Sequence, residues 1–243
     1  MPIWYNNFDQ GSVEWVLARL GKPTASEFHR ILTPKKQQLA EGRHAYARQL
    51  VGERLLNTVG KSLDGVVAIE RGRELEPQAA RHYAFVEGVE LDTVGFVTTD
   101  NGLIGASPDR LVRGAKIAVE LKSPGIENHI LYLDDDESDA YICQRQGQLW
   151  VADLERVDLC SYHPNGPAAI IRTHRDEAFI RKLSAAVYEF ADEVDELERR
   201  MRAKGIWIAY ERVTALDRER GEQANAELSG YVQGEFEKGN LGG

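Results

Sequence analysis

Three residues near the middle of this chain have the types and spacing for metal-assisted phosphodiester hydrolysis: Asp109, Glu120 and Lys122. They fall in Ser107-Pro108-Asp109, ten further residues, then Glu120-Leu121-Lys122-Ser123-Pro124. Residues 117–122 alternate as a strand does. Ile117, Val119 and Leu121 lie on one face, and Ala118, Glu120 and Lys122 on the other. Asp109 closes an earlier extended segment, residues 103–107. The turn Arg113-Gly114-Ala115-Lys116 would fold the second strand back on the first. Two carboxylates then converge with an amine beside them. Such a pair holds a hard divalent cation through oxygen. The cation polarises a phosphoryl oxygen and lowers the pKa of a bound water. The lysine steadies or deprotonates that water and adds positive charge where negative charge develops. A lone Glu-x-Lys is usually a solvated sheet face. The upstream Pro-Asp and the glycine turn move the reading toward chemistry.

The flanking elements must position these groups. Residues 13–19 read as a short helix with Ser12 as N-cap. Thr24 and Glu27 have capping-box spacing for a second helix, stopped by Pro34. Residues 42–57 read as a helix with Tyr46, Leu50, Leu55 and Leu56 on its apolar side. After Gly60 and Gly65, residues 67–87 form another helix, kinked or restarted at Pro77, which sets Glu76 at a break. Strands are expected at 91–99, 103–107 and 117–122. A loop with the acidic run Asp134-Asp135-Asp136-Glu137 covers 125–139. A helix follows at 141–151, strands at 157–162 and 168–173, and a long amphipathic helix at 176–201. Ile206-Trp207-Ile208 is a short extended piece, and the polar tail is partly helical and frayed at its end. The simplest account is one α/β domain over 1–243, a mixed central β-sheet with helices on both sides. Its core is about 67–175, with helical regions at 1–66 and 176–243.

Composition bounds the function. At 243 residues, 42% hydrophobic and 28% charged, the chain has an ordinary globular balance. No apolar run of membrane-spanning length occurs, and the first residues lack the pattern of a signal peptide. The two cysteines, Cys143 and Cys160, have no zinc spacing and read as reduced thiols of a cytoplasmic protein. With 30 basic and 39 acidic side chains the net charge is −9, which argues against nonspecific coating of nucleic acid. A local basic channel is still compatible with an acidic exterior. Lys35, Lys36, Arg43, His44, Arg48 and Arg54 are either a solvated helix face or such a channel. His82, His129, His163 and His174 form no ligand set.

Four blocks in order resemble the phage lambda exonuclease-like (YqaJ-type) viral recombinases of the PD-(D/E)XK nuclease superfamily. They are Arg19-Leu20-Gly21-Lys22-Pro23-Thr24-Ala25-Ser26-Glu27, Gly72-Arg73-Glu74-Leu75-Glu76, the Asp109/Glu120/Lys122 core, and Ala140-Tyr141-Ile142-Cys143-Gln144-Arg145-Gln146 followed by Leu149-Trp150-Val151. The resemblance covers roughly residues 14 to 155 and implies a restriction-endonuclease-like core. It further implies a Mg2+-dependent, alkaline-type 5′→3′ deoxyribonuclease that digests one strand of linear double-stranded DNA to mononucleotides, with Mn2+ able to substitute. Asp109, Glu120 and the Leu121 carbonyl would bind metal in a two-metal site, Lys122 would serve the water, and Glu76 would face the site from its helix. Gln144 and Tyr141, three apart on one helical face, would touch the scissile phosphate or water and the substrate backbone. Arg19, Thr24, Ser26 and Ser107 would form a pocket for the 5′-phosphate. Ile69 would wedge the strands or simply pack in the core. A homotrimeric ring and a single-strand annealing protein as partner are also implied. Two departures stand out: Arg110 where the family commonly has Gly, and the acidic run at 134–137. Other readings are a PD-(D/E)XK endonuclease and a catalytically silent DNA-end-binding module. Gln146 and Gln148 are read as structural or exposed.

Overall fold

The computed structural model describes residues 1–57, 67–134 and 140–205, with the backbone alone at 67–73 and 140. The readings at Gly60, Gly65, Ile69, 135–137, 206–208 and the tail lie outside the described residues and side chains.

The alternation of residues 117–122 decides the architecture. Strand β6 (Ile117–Lys122) is the middle strand of a five-stranded sheet. One face, with Val119 and Leu121, packs on Ala79 and Tyr83 of helix α3 (Val67–Glu87). The opposite face, with Ala118 and Glu120, is covered by helix α5 (Ala140–Val151). On one side β6 pairs antiparallel with β5 (Arg110–Val112), which pairs with β2 (Leu91–Thr93). On the other it runs parallel to β7 (Arg156–Ser161), which pairs antiparallel with β8 (Ala169–His174). A parallel neighbour needs a crossover long enough to cover the sheet. Here α4 (Ile126–Leu133) and α5 supply it. A second sheet joins β1 (Ile3–Tyr5), β3 (Phe96–Thr98) and β4 (Gly105–Ala106). Helices α1 (Val13–Arg19), α2 (Arg43–Leu56) and α6 (Glu177–Ala203) complete the order. The mixed sheet flanked by helices is the architecture read from sequence. The described residues up to Asp195 form one compact unit, which holds every site residue described below; the described residues from Glu196 on lie in a second. Among the described residues no helix is long and apolar enough to cross a membrane.

Several expectations are corrected. The strand that folds back on β6 is β5, not residues 103–107, so Asp109 precedes its strand instead of closing one. Residues 91–99 split between two sheets. A Cβ at Gly95 would stand 2.4 Å from the Tyr5 carbonyl oxygen, and this close crossing bends the chain out of line. The expected loop at 125–139 holds α4, begun at Gly125. Residues 25–30 form a 3-10 helix that ends at Arg30, before Pro34. No capping box forms, because the Thr24 side chain caps nothing and Glu27 pairs with Arg30 at 3.1 Å. Helix α3 continues through Pro77 without restarting, so Glu76 lies within one helix. On α2 the buried stripe is Tyr46, Ala47, Leu50 and Val51, while Leu56 is exposed.

One close approach ties two halves of the site together. A Cβ at Gly147 on α5 would lie 2.5 Å from Cδ2 of Phe28, a fully buried side chain of the 3-10 helix. Glycine there lets the helix carrying Gln144 sit directly on the segment carrying Ser26. Gly147→Ala gains up to about 1 kcal/mol of helix propensity. It meets an overpacking cost of about 1–3 kcal/mol. The Phe28 ring, held against Trp150 with centroids 6.1 Å apart, has nowhere to move, so the clash wins. Chemical denaturation should show a loss of about 1–2 kcal/mol. A variant as stable as wild type would disprove this contact.

Candidate active site

Register brings the carboxylates together. In the β5–β6 ladder Arg110 stands opposite Val119 and Leu111 opposite Ala118. Extending it by one residue sets Asp109 opposite Glu120 on the same face, a like-charge cross-strand pair. The Leu121 N–H donates to Asp109 Oδ2 at 2.6 Å and locks this geometry. In a strand the N–H and C=O of one residue point the same way. The Leu121 carbonyl therefore also faces the Asp109 edge, where β5 has ended.

Glu120 is almost fully buried, at 3% exposure, and is held by three donors. Lys122 Nζ and Gln144 Nε2 each donate to Oε1 at 2.7 Å, and Gln148 Nε2 donates to Oε2 at 2.7 Å. Lys122 Nζ also lies 5.1 Å from the centre of the Tyr141 ring. Burial works against the lysine's charge, but Glu120 and Asp109 outweigh it and raise its pKa above the ordinary value. Lys122 is thus an ammonium here, a source of positive charge. Burial, then the nearby Glu120, raises the Asp109 carboxyl well above its usual range, against the pull of Lys122.

Glu76 joins indirectly. Its Oε1 pairs with Arg110 Nη1 at 2.7 Å, and the same nitrogen donates to the Asp109 carbonyl at 2.6 Å. The departure at Arg110 is thus the link that holds the α3 carboxylate beside the cluster. The donors are oxygens in two adjacent carboxylates, with a backbone carbonyl and a third carboxylate near. That set fits a hard divalent cation that keeps several waters. It is no closed cage: no group of three His, Cys, Asp or Glu among the described residues is arranged to hold a metal alone.

The four residues expected to line an anion pocket lie together. Arg19 Nη1 donates to Ser107 Oγ at 3.0 Å, and Nη2 to Thr24 Oγ1 at 3.4 Å. Thr24 and Ser26 hydroxyls lie 3.4 Å apart. Thr24 is drawn to β4 by an isolated bridge to Gly105, which brings Ser107 within reach. Trp15, absent from the sequence reading, donates from Nε1 to Ser107 at 3.1 Å and stacks under the guanidinium at 4.3 Å. Burial lowers the Arg19 pKa, with Tyr46, Glu27 and Glu53 opposing. Arg19 and Thr24 also line a cavity of about 370 Å³. It has room for more than a bare phosphate.

Other residues are assigned structurally. Gln148, read as structural or exposed, is buried with its amide on the Glu120 carboxylate; its signal was its place one helical turn after Gln144. Gln146 anchors the start of α6 through the His174 carbonyl and the Asp176 N–H. His129 lies buried between Ser161 and the Pro167 carbonyl. Of the early basic residues, Arg43 and His44 pair with Glu193, and Arg54 with Asp195.

The profile of the YqaJ-like viral recombinase domain matches residues 14–155. The chain belongs to that family. The matched span runs from α1 past α5 and so contains every residue of both clusters. Among solved structures, an alkaline exonuclease (LHK-Exo) from Laribacter hongkongensis is 30% identical, with a TM-score of 0.72 over 80% of this chain and 98% of that one. LHK-Exo in complex with dAMP is similar at 31% identity and the same coverage. A phage-related exonuclease from Haemophilus somnus 129PT, 18% identical with a TM-score of 0.59 over 74% of this chain and 96% of that one, shares the fold. No curated protein matches the sequence significantly.

The carboxylate pair predicts a pH signature. A carboxyl whose folded pKa is raised adds stability at low pH and loses it as pH climbs from the ordinary 3.8 through the raised value. Asp109→Asn removes the charge while its Oδ1 can still accept from Leu121. In EDTA the variant should melt higher than wild type at neutral and alkaline pH, with the difference shrinking toward acid. Equal melting temperatures across that range would contradict the repulsion.

Proposed function

We propose that this chain is a divalent-metal-dependent 5′→3′ exonuclease that digests one strand of linear double-stranded DNA to mononucleotides and leaves a 3′ single-stranded overhang. The observation that carries this reading is the tripeptide Ser107-Pro108-Asp109. Ser107 belongs to the Arg19 cluster and Asp109 to the carboxylate cluster. Two residues of chain span at most about 7 Å, on the scale of one nucleotide step. A terminal phosphate on Arg19, Thr24, Ser26 and Ser107 would set the next phosphodiester against Asp109, Glu120 and Lys122. The alkaline exonuclease activity named for the L. hongkongensis protein supports the same reaction class.

Asp109, Glu120 and the Leu121 carbonyl would hold Mg2+, or Mn2+ in its place, with Glu76 serving a second ion or its water. When bound, the metal supplies Lewis-acid polarisation of the phosphoryl oxygen and a water of lowered pKa. Lys122 presents its ammonium to the charge that grows on the phosphate. Gln144 keeps the Glu120 carboxylate in place, and Tyr141 bounds the substrate side of the lysine. By family resemblance we assign a homotrimeric ring around DNA, a single-strand annealing protein as partner, and phage-type recombination in the bacterial cytoplasm.

The test is digestion of a linear duplex labelled at one 5′ end, phosphorylated or not, with Mg2+ or EDTA. Metal-dependent loss from the 5′-phosphorylated end, slowed at a 5′-hydroxyl, is expected. Cleavage of closed circles would replace the exonuclease with an endonuclease, and end binding without turnover would leave only a binding module.

A further inference from the structure

We propose that Gln148 is a positioning residue that fixes which oxygen of Glu120 is offered to the metal, an inference that rests on the metal-dependent reading above. Each carboxylate oxygen has about two lone-pair sites. Those of Oε1 are taken by Lys122 and Gln144, both at 2.7 Å. On Oε2 only Gln148 donates among the described residues, also at 2.7 Å, which leaves one site open. The cation therefore takes Glu120 through Oε2, and Gln148 sets the direction of that free lone pair.

The orientation of the Gln148 amide is not arbitrary. An ionised carboxylate accepts and does not donate, so the NH2 end must face it. Gln148 is 1% exposed, and its own Oε1 is buried with no hydrogen-bond partner among the described residues. Were the amide there to stabilise the fold, its carbonyl would be satisfied as well. The arrangement gives up one hydrogen bond to keep a donor on Glu120. Gln144 and Gln148 are one turn apart on α5, so the helix clamps both oxygens at once and stops rotation of the carboxylate about its last bond. Partners that orient metal ligands typically change metal affinity or activity by roughly 10–100-fold when removed.

The experiment measures Mn2+ affinity of the DNA-free protein by electron paramagnetic resonance, alongside the melting temperature in EDTA. Gln148→Met keeps the size and removes both the donor and the stranded carbonyl. The expected result is Mn2+ affinity lowered about tenfold or more; the melting temperature falls as well, because the buried Glu120 Oε2 loses its donor. A role confined to packing would lower the melting temperature and leave the affinity alone, and that result would overturn the proposal. If the methionine variant does not fold, Gln148→Asn, whose amide is one methylene too short to reach Glu120 Oε2, carries the same comparison. Its affinity is expected to fall too, and an affinity within twofold of wild type would overturn the proposal. Wild-type protein that bound no Mn2+ would instead remove the metal-dependent reading itself, so the two failures are told apart.

Discussion

Lys122→Met should lower single-turnover cleavage of a linear duplex by about a thousandfold while leaving affinity for a 5′-phosphorylated end within a few-fold of wild type. Methionine keeps the length of the side chain and loses the charge. Preorganised positive charge or a proton-handling group in such a site is worth about 10²–10⁴ in rate. Binding of the end changes little because the Arg19 cluster contains no contact to Lys122. A stability effect should accompany the kinetic one. The ammonium offsets two carboxylates, and Lys122 is only a quarter exposed against Glu120 at 4%. Breaking a fully buried pair costs about 3–5 kcal/mol. Gln144 and Gln148 still satisfy Glu120 in the variant, so the loss should be below that range, about 2 kcal/mol. Stopped-flow cleavage, end binding in Ca2+ and denaturation in EDTA separate these effects. Cleavage at the wild-type rate would remove Lys122 from the chemistry and with it the proposed mechanism.

Arg19→Ala carries the second large effect, on choice of end instead of rate of bond breaking. The guanidinium already orders Ser107 and Thr24 and stacks on Trp15. A terminal phosphate would add charge-assisted hydrogen bonds worth about 1.5–3 kcal/mol. That energy corresponds to about 10–100-fold discrimination between 5′-phosphate and 5′-hydroxyl ends. Alanine should abolish most of it. Some loss of folding stability should accompany it, because the stacking on Trp15 and the contacts to Ser107 and Thr24 go with the side chain. The measurement is the ratio of initial digestion rates on the two ends for wild type and variant. A variant that kept the wild-type ratio would show that direction is read elsewhere. Slow digestion of both ends with the ratio intact would point to a distorted carboxylate cluster two residues from Ser107, at Asp109.

The two effects differ because the clusters have different origins in the chain. Glu120 and Lys122 share a face through strand alternation alone, and this was legible without any structure. So was the helical face that holds Tyr141 and Gln144, whereas the grouping of Arg19, Thr24 and Ser26 came from the family resemblance. Local rules determine which residues leave a strand or helix in the same direction. They set the mixed α/β class too, since apolar strands alternate with amphipathic helices along the sequence.

Contacts between distant segments followed other constraints. The partner of β6 was misread because three-residue β5 is too short to show a period, and its register emerges only from pairing with Ile117–Lys122. Thr24 reads locally as a helix cap, yet its bridge to Gly105 turns the hydroxyl toward Arg19. Arg110 looked like a family departure, and only the approach of α3 to the start of β5 gives it Glu76 as partner. Gln148 differed locally from Gln146 only in standing one helical turn after Gln144, which names no partner for it. Their roles separate because α5 lies across the sheet with one turn over Glu120 and the other side toward the start of α6. The sequence by itself determined the chemical groups and the faces they share, because backbone periodicity is a local property. The tertiary structure decided which faces meet, because that depends on strand register and helix packing between residues far apart in the chain.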